Sequence, residues 1–532
     1  MRFENLPRNW IVLSLNELFS VVTGSTPSTV VKEYWNDGEI KWITPKDLGK
    51  FYGTHISESG RKITKQGLLN CSATIVPRDS IIVSTRAPIG YLAILNEPMC
   101  FNQGCKALVK KNAELNSKFY FYYLHTKVGE MNRLGSGSTF KEISKSQISN
   151  LKFPLPPMPE QHRIVAKLEE LFTKLDVSVA ELKKAKAQIK RYRQSVLKHA
   201  FEGKLTEQWR IANGELRNKT AEELLAKIKE ERKKALGKKY KELPPVDTTN
   251  LPQLPEGWVW VRIDDISQVI SGNAFKSTDF IDSGIPVVKI GNVGYGEFIW
   301  KDQEYFPKER FKGVKDFEIK SGDLLFALTR PITNNRTKVC LYPTDSQIGL
   351  LNQRVAVIKT SEIVIKNYLL YFLQSEDFKS KIKLLFTETL QPNLSPIDLK
   401  EVKIPFTSFN ELNQIVLEIE RHFSVADETE KIIDQSLKQA ERLRQSILKD
   451  AFSGKLVPQD PSDEPASLLL EKIKTEKEKL AKEPKTKKSN RRTGRKVVGE
   501  VKAEREKISE TKSNSQGLPD SSKKENKKRR IK

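Results

Sequence analysis

The feature that most constrains this chain is that it is written twice. Leu6-Pro7-Arg8-Asn9-Trp10 returns as Leu254-Pro255-Glu256-Gly257-Trp258, and Gly24 is answered by Gly272. Residues 75–86 (IVPRDSIIVSTR) return as 319–330 (IKSGDLLFALTR), and Asn102-Gln103 as Asn352-Gln353. The strongest match joins residues 193–205, RQSVLKHAFEGKL, to 444–456, RQSILKDAFSGKL; a later helix repeats as 221–229 and 466–474. The order is the same both times. A repeat of this length is a tandem duplication of whole folding units, and it sets the architecture before any local motif does.

Each copy has two halves. The first halves, 1–157 and 252–407, carry the aromatic and β-branched residues in short runs punctuated by Gly, Pro, Asn and Asp. Residues 80–85 and 324–329 predict buried strands, and 120–126 and 368–375 predict short helices, so each half is a mixed α+β domain. The second halves, 158–251 and 408–484, predict long helices. Apolar or small residues fall on two seven-residue series, Leu168, Leu175, Leu182, Ile189, Val196 and Ile164, Leu171, Ser178, Ala185, Tyr192. Steps of three and four put both on one seam, the coiled-coil pattern. The second copy has a weaker seam through Ile419, Ala426, Ile433, Ala440 and Ile447. Pro159 suits a helix start, and Gly203 and Gly454 suit stops. A helix over 160–202 is roughly 60 Å long at 1.5 Å per residue. It either packs flat on its own domain or buries its seam against its counterpart; two such seams in one chain favour the pair.

The chain has 532 residues and a formal charge of +25, which favours polyanions, nucleic acid first. Of that charge, +12 falls in 485–532, a stretch with 18 Lys/Arg, 6 Asp/Glu and few apolar residues, which predicts a disordered basic tail. Cys71, Cys100, Cys105 and Cys340 form no CxxC pair, which argues against a zinc site and for thiols in a reducing compartment. No apolar run is long enough to span a membrane, and Glu4, Asn16 and Glu17 interrupt the first 22 residues, so a cytoplasmic protein is expected.

Two variable globular domains, each followed by a more similar long helix, resemble the specificity subunits of Type I restriction–modification systems. The resemblance rests on LPRNW and LPEGWVWVRIDDIS, on GSTPSTVVKEYW with IKWITPKDLG, on SGDLLFALTR, and on FPLPPMPEQHRIVAKLEELF, and it covers about residues 1–484. The second copy departs at PFTSFNELNQIV, where the Pro-Pro and Glu-Gln of the first copy are lost. The resemblance implies two target recognition domains, each reading one half of a split site in double-stranded DNA. It implies helices paired as an antiparallel coiled coil, a spacer that docks two methyltransferase subunits. Restriction–translocase subunits would join them. S-adenosylmethionine, ATP and Mg would then sit on those partners, with no cofactor and no catalytic residue in this chain.

Phosphates call for cations, and base edges for amides or guanidinium groups. Arg86 and Arg330 recur after a strand, which suggests phosphate contacts; an ion pair with Asp79 or Asp323 is the plainer alternative. Asn102-Gln103 and Asn352-Gln353 read as turn residues. Base reading belongs where the copies diverge: Lys46 and Lys141 in the first domain, and Lys289, Asn334, Arg336 and Gln391 in the second. Catalytic signatures are missing from the sequence. There is no GxxxxGK[ST], no GxGxxG and no Asn/Asp-Pro-Pro-aromatic tetrapeptide. Gly135-Ser136-Gly137-Ser138 lacks a lysine and reads as a loop. Pro519-Asp520 with Glu525-Asn526-Lys527 lies in the tail and reads as coincidence. The competing reading is a coiled-coil scaffold that binds nucleic acid without sequence preference.

Overall fold

A computed structural model describes residues 6–86, 88–137, 141–213, 220–386 and 392–482. The chain divides into two compact units, residues 1–172 with 444–532, and residues 173–443. The basic tail and Gln391 lie outside the described residues.

In the first unit, Ile11–Ser14 pairs antiparallel with Lys152–Leu155, closing the globular half on itself. Between them lies a five-stranded sheet in the order Phe19–Thr23, Cys105–Lys110, Ile81–Ser84, Leu92–Leu95, His55–Ile56. The run Ile81-Ile82-Val83 is apolar throughout because both sheet faces are covered. Ile81, Val83 and Ile94 enter one core, with the helix Ser117–Leu134; Ile82, Ala93 and Leu95 enter another. A three-stranded sheet, Arg61–Ile63, Ile40–Ile43, Cys100–Phe101, lies beyond it.

The second unit repeats the plan. Val259–Arg262 pairs with Lys403–Phe406. A four-stranded sheet runs Gln268–Ser271, Val355–Lys359, Leu324–Ala327, Val339–Leu341. Its alternate residues again feed two cores, Leu324 and Phe326 into one, Leu325 and Ala327 into the other. The second sheet, Glu304–Phe306, Ile285–Val288, Gly349–Leu351, Glu318–Ile319, keeps the parallel pairing that Ile40–Ile43 makes with Cys100–Phe101 in the first unit.

The helices Met158–Phe201 and Phe409–Ala451 follow. Both are stopped as the glycines predict. Gly203 (φ 72) and Gly454 (φ 73) take the left-handed conformation, and the next residue's N–H reaches back, Lys204 to His199 at 2.9 Å and Lys455 to Asp450 at 2.9 Å. A Cβ on Gly203 would lie 2.5 Å from Pro255 Cγ, and one on Gly454 2.3 Å from Pro7 Cγ. Each glycine therefore also lets a helix end press on a Leu-Pro-x-x-Trp opening.

Within the second unit the two helices touch side by side. Leu182, Ala185 and Ile189 pack with Ala426, Ile433 and Leu437. Lys186 meets Asp434 at 2.5 Å and Arg193 meets Asp427 at 2.6 Å, so the contact is antiparallel. The seam is shorter than the heptads predict. Ile164, Leu168, Ile447 and, partly buried, Leu171 belong to the first unit's globular core; Val196 and Ile419 belong to the second unit's; Leu175 is half-buried. The packed-flat alternative therefore wins at the helix ends, because the nearest apolar surface there is the domain itself.

The start of the second helix differs from the sequence reading. Glu411 stands where Glu160 does: Trp258 Nε1 donates to Glu411 Oε2 at 2.9 Å, as Trp10 Nε1 donates to Glu160 Oε2 at 2.9 Å. Of the Glu-Gln pair the glutamate is retained and Gln161 is replaced by Leu412, which is fully buried; the Pro-Pro is lost, with Thr407-Ser408 in its place.

Candidate nucleic-acid interface

In the first unit, the buried strand Ile81–Ser84 runs on past its sheet. Thr85 N–H donates to Gly104 O at 2.8 Å, Ile143 N–H donates to Thr85 O at 3.0 Å, and Arg86 bridges Glu142. Exposed Arg86 and exposed Lys141 are thus brought to one end of the sheet. Lys106 lies beneath them, 3% exposed, with Nζ 3.2 Å from Thr85 Oγ1 and 3.6 Å from Glu142 Oε1. Burial lowers its pKa, and the Glu142 carboxylate opposes that shift. Nothing in the local sequence singled out Lys106, since its strand reads as ordinary alternation.

The second unit builds the same edge by the same backbone pairing but with other side chains. Leu328 N–H donates to Arg354 O at 2.9 Å, Thr329 bridges Asn393, and Arg330 N–H donates to Pro392 O at 2.8 Å. Ile81 pairs with Ile94 and Leu108; Leu324 pairs with Leu341 and Ile358 in the same sheet positions. Ile81 therefore answers to Leu324, Asp79 (φ 64) to Gly322 (φ 77), and Arg86 to Thr329. The recurring Thr-Arg is one residue out of structural register. In a strand a one-residue slip turns a side chain to the other face, so Arg86 and Arg330 are not equivalent and their shared role does not follow.

Arg330 itself has φ 48 and is exposed. After it the chain makes a hairpin, Ile332–Thr333 paired with Arg336–Thr337, whose turn residues Asn334 (φ 52) and Asn335 (φ 55) both lie in the left-handed region. This is the requirement of a two-residue hairpin turn, and Asn tolerates it. Arg336 donates to Tyr295 O at 3.0 Å, and its guanidinium lies 4.7 Å from the Tyr295 ring centroid. Lys379, 2% exposed, donates to Asn335 O at 2.9 Å and to Glu376 Oε1 at 2.5 Å. Arg330, Asn334 and Arg336 thus come together. Lys289 does not join them: it is paired with Glu304 and lies 4.5 Å from the Phe280 ring centroid. Lys46 is exposed in the first turn of Pro45–Lys50.

The two Asn-Gln pairs are turns in both units. Asn102 Oδ1 accepts from Gly104 N at 3.0 Å and Asn352 Oδ1 from Arg354 N at 3.4 Å. A Cβ on Gly24 would lie 2.1 Å from Asn102 O, and one on Gly272 2.3 Å from Asn352 O, which is why glycine recurs there. Among the described residues, no three His, Cys, Asp or Glu side chains are grouped to hold a metal ion, and no helix is long and apolar enough to cross a membrane. Burial pushes the Cys100 and Cys340 thiols up to about 12, and the Cys105 thiol up as well.

The chain matches the model of the Type I restriction modification DNA specificity domain twice, over residues 7–189 and 255–439. It is 24% identical over 495 residues to the Type I restriction enzyme EcoDI specificity subunit of Escherichia coli, covering 90% of this chain and 97% of that one. It is 23% identical over 455 residues to the MjaVIII specificity subunit of Methanocaldococcus jannaschii, covering 85% and 94%. The MjaIX specificity subunit of the same organism is 37% identical over 164 residues, 31% of this chain and 38% of that one. The fold matches a chain from a structure described as "Structural basis underlying complex assembly and conformational transition of the type I R-M system", with a TM-score of 0.59, 17% identity, and coverage of 85% of this chain and 99% of the other. With both family matches falling on the two copies of one fold, the chain belongs to the family of Type I restriction–modification DNA specificity subunits.

Proposed function

We propose that this subunit reads a two-part DNA site, one half with each globular domain, and contributes recognition to a complex whose chemistry is done by other subunits. The observation that carries this is duplication with divergence. Both units keep the same order among the strands they share and the same Trp–Glu joint, and they differ at the sheet end where Arg86 and Lys141 stand in one and the 332–337 hairpin in the other. A reader of two unlike half-sites needs a common frame and unlike edges. The domains are assigned as 1–157 and 252–407 and the helical spacers as 158–251 and 408–484. The DNA contacts are assigned to Arg86, Lys141, Arg330 and Asn334, with Lys46 and Gln391 as further candidates. Lys289 and Arg336 act as braces.

The partners of this reading are double-stranded DNA, two methyltransferase subunits docked along the helices, and restriction subunits, in the cytoplasm. S-adenosylmethionine, ATP and Mg belong to those partners. The test is to sequence methylated adenines in a methylation-free bacterium expressing this chain with its methyltransferase partner. A two-part motif with a fixed gap, lost when this chain is omitted, is expected. An assembled complex that leaves no such motif would refute the reading and favour a scaffold without sequence preference.

A further inference from the structure

The two units join the same pair of strands by connections of different length. In the first, residues 85–91 run from Ile81–Ser84 to Leu92–Leu95; in the second, residues 328–338 run from Leu324–Ala327 to Val339–Leu341. The second connection is four residues longer and carries the hairpin 332–337, which has no counterpart at this position among the described residues of the first unit.

An added loop needs no internal order if it serves only to connect. This one is built rigidly. Its turn uses two consecutive Asn residues at φ 52 and 55, and its tip backbone is held by the Lys379 ammonium at 2.9 Å. That lysine is 2% exposed, so a buried cation is committed to fixing one carbonyl of a surface turn. The Arg336 side chain is held by Tyr295, whose backbone bridges Val339. Asn335 Nδ2 lies 3.4 Å from Glu376 Oε1. The fixings therefore engage Asn335, Arg336 and the strand base, while Asn334 stands exposed at the tip. A pre-ordered two-stranded ribbon fits the major groove of a DNA duplex, and an Asn amide can pair with the edge of adenine there.

We infer that the hairpin 332–337 is a base-reading element of the second domain alone, with Asn334 as the specificity-determining side chain and Arg336 and Lys379 as positioning residues. It rests on the proposed reading of a two-part site. It predicts that the second domain specifies at least one base position through a device that the first domain lacks. Arg336 then acts through the hairpin rather than on DNA, and Arg330 at the hairpin's base is left for a phosphate or base.

The test is Asn334→Gly, which removes the amide and keeps a residue at ease with positive φ. Methylated-adenine sequencing of the N334G complex beside the unaltered one reads the outcome. The first half of the motif and the gap are expected to stay unchanged. One position in the second half is expected to lose at least about tenfold of its base preference, the scale of one lost amide–base pair. Arg336→Lys should blur the same position more weakly, because it keeps the charge but loses the stacked fork. An unchanged second half in N334G overturns the inference. So does a loss of methylation at all sites, since an exposed turn amide would then be acting on folding. If the unaltered complex gives no two-part motif, it is the proposed function that fails.

Discussion

Glu411 and Glu160 occupy equivalent places at the starts of the two long helices, yet replacing each by glutamine should have very different costs. Glu411, 4% exposed, accepts four bonds: Oε1 from Thr206 Oγ1 at 2.8 Å and Arg210 Nη1 at 2.5 Å, Oε2 from Trp258 Nε1 at 2.9 Å and Thr407 Oγ1 at 2.8 Å. The threonine hydroxyls can turn to accept, but the indole and the guanidinium can only donate. Whichever way the new amide of E411Q is placed, its NH2 faces one of them. The change also breaks a nearly buried ion pair, Arg210 being 13% and Glu411 5% exposed in their side chains. The expected loss is about 3–4 kcal/mol. Glu160 accepts from Trp10 Nε1 at 2.9 Å and Gln459 Nε2 at 2.5 Å. In E160Q the amide carbonyl can keep the indole while Gln459 turns its own carbonyl toward the new NH2, so the cost should stay near 1 kcal/mol. Hydrogen-exchange mass spectrometry on the full chain follows residues 409–416 and 158–165 separately. E411Q should speed local exchange by roughly 150- to 700-fold and E160Q only several-fold. Equal acceleration by both would refute the argument that donor identity sets the cost.

Glycine stops should be intolerant: Gly454→Ala places a Cβ against Pro7 at a φ of 73, so thermal melting of the first unit should fall by at least the roughly 1–2 kcal/mol of left-handed strain. Pro7→Ala in the same chain should recover part of the loss. Thr337 Oγ1 is buried without a hydrogen-bond partner among the described residues, so Thr337→Val should leave stability unchanged or raise it by up to about 1 kcal/mol in a melting experiment. Burial raises the Glu160 pKa, against hydrogen bonds from Trp10 and Gln459 that lower it. The folded unit therefore holds that proton more tightly than the unfolded chain. The stabilising contribution is full below the ordinary glutamate range and is lost as pH rises through the raised value. Exchange protection of 158–165 should accordingly decline across that window, and E160Q should flatten the decline.

Much of the fold was legible because duplication supplied an internal check. The strands at 80–85 and 324–329 and the two long helices recur with their stops, and each is an apolar pattern that local geometry can satisfy in only one way. The coiled-coil seam was over-read for a physical reason: heptad spacing marks a buried face without saying what buries it, and at Ile164, Leu168 and Val196 the domain cores do. The candidate site was less legible. Matching Thr-Arg to Thr-Arg placed Arg86 opposite Arg330, whereas hydrogen-bond register places it opposite Thr329. Letter similarity cannot sense a slip that backbone pairing fixes. Lys106 and Lys379 were missed because a lysine's burial is set by partners far along the chain, Glu142 for one and Asn335 for the other.

The glycine that ends each long helix rests on a proline and tryptophan that open a globular domain, Gly203 on Pro255 and Trp258, Gly454 on Pro7 and Trp10. Both halves of this joint come from stretches that the two copies hold in common. The fastening is therefore standardised while the part it fastens is not. A new reading surface can be fitted between Trp10 and the strand at Lys152–Leu155 without renegotiating how it is mounted. Selection on which DNA is recognised is thereby uncoupled from selection on whether the subunit holds together.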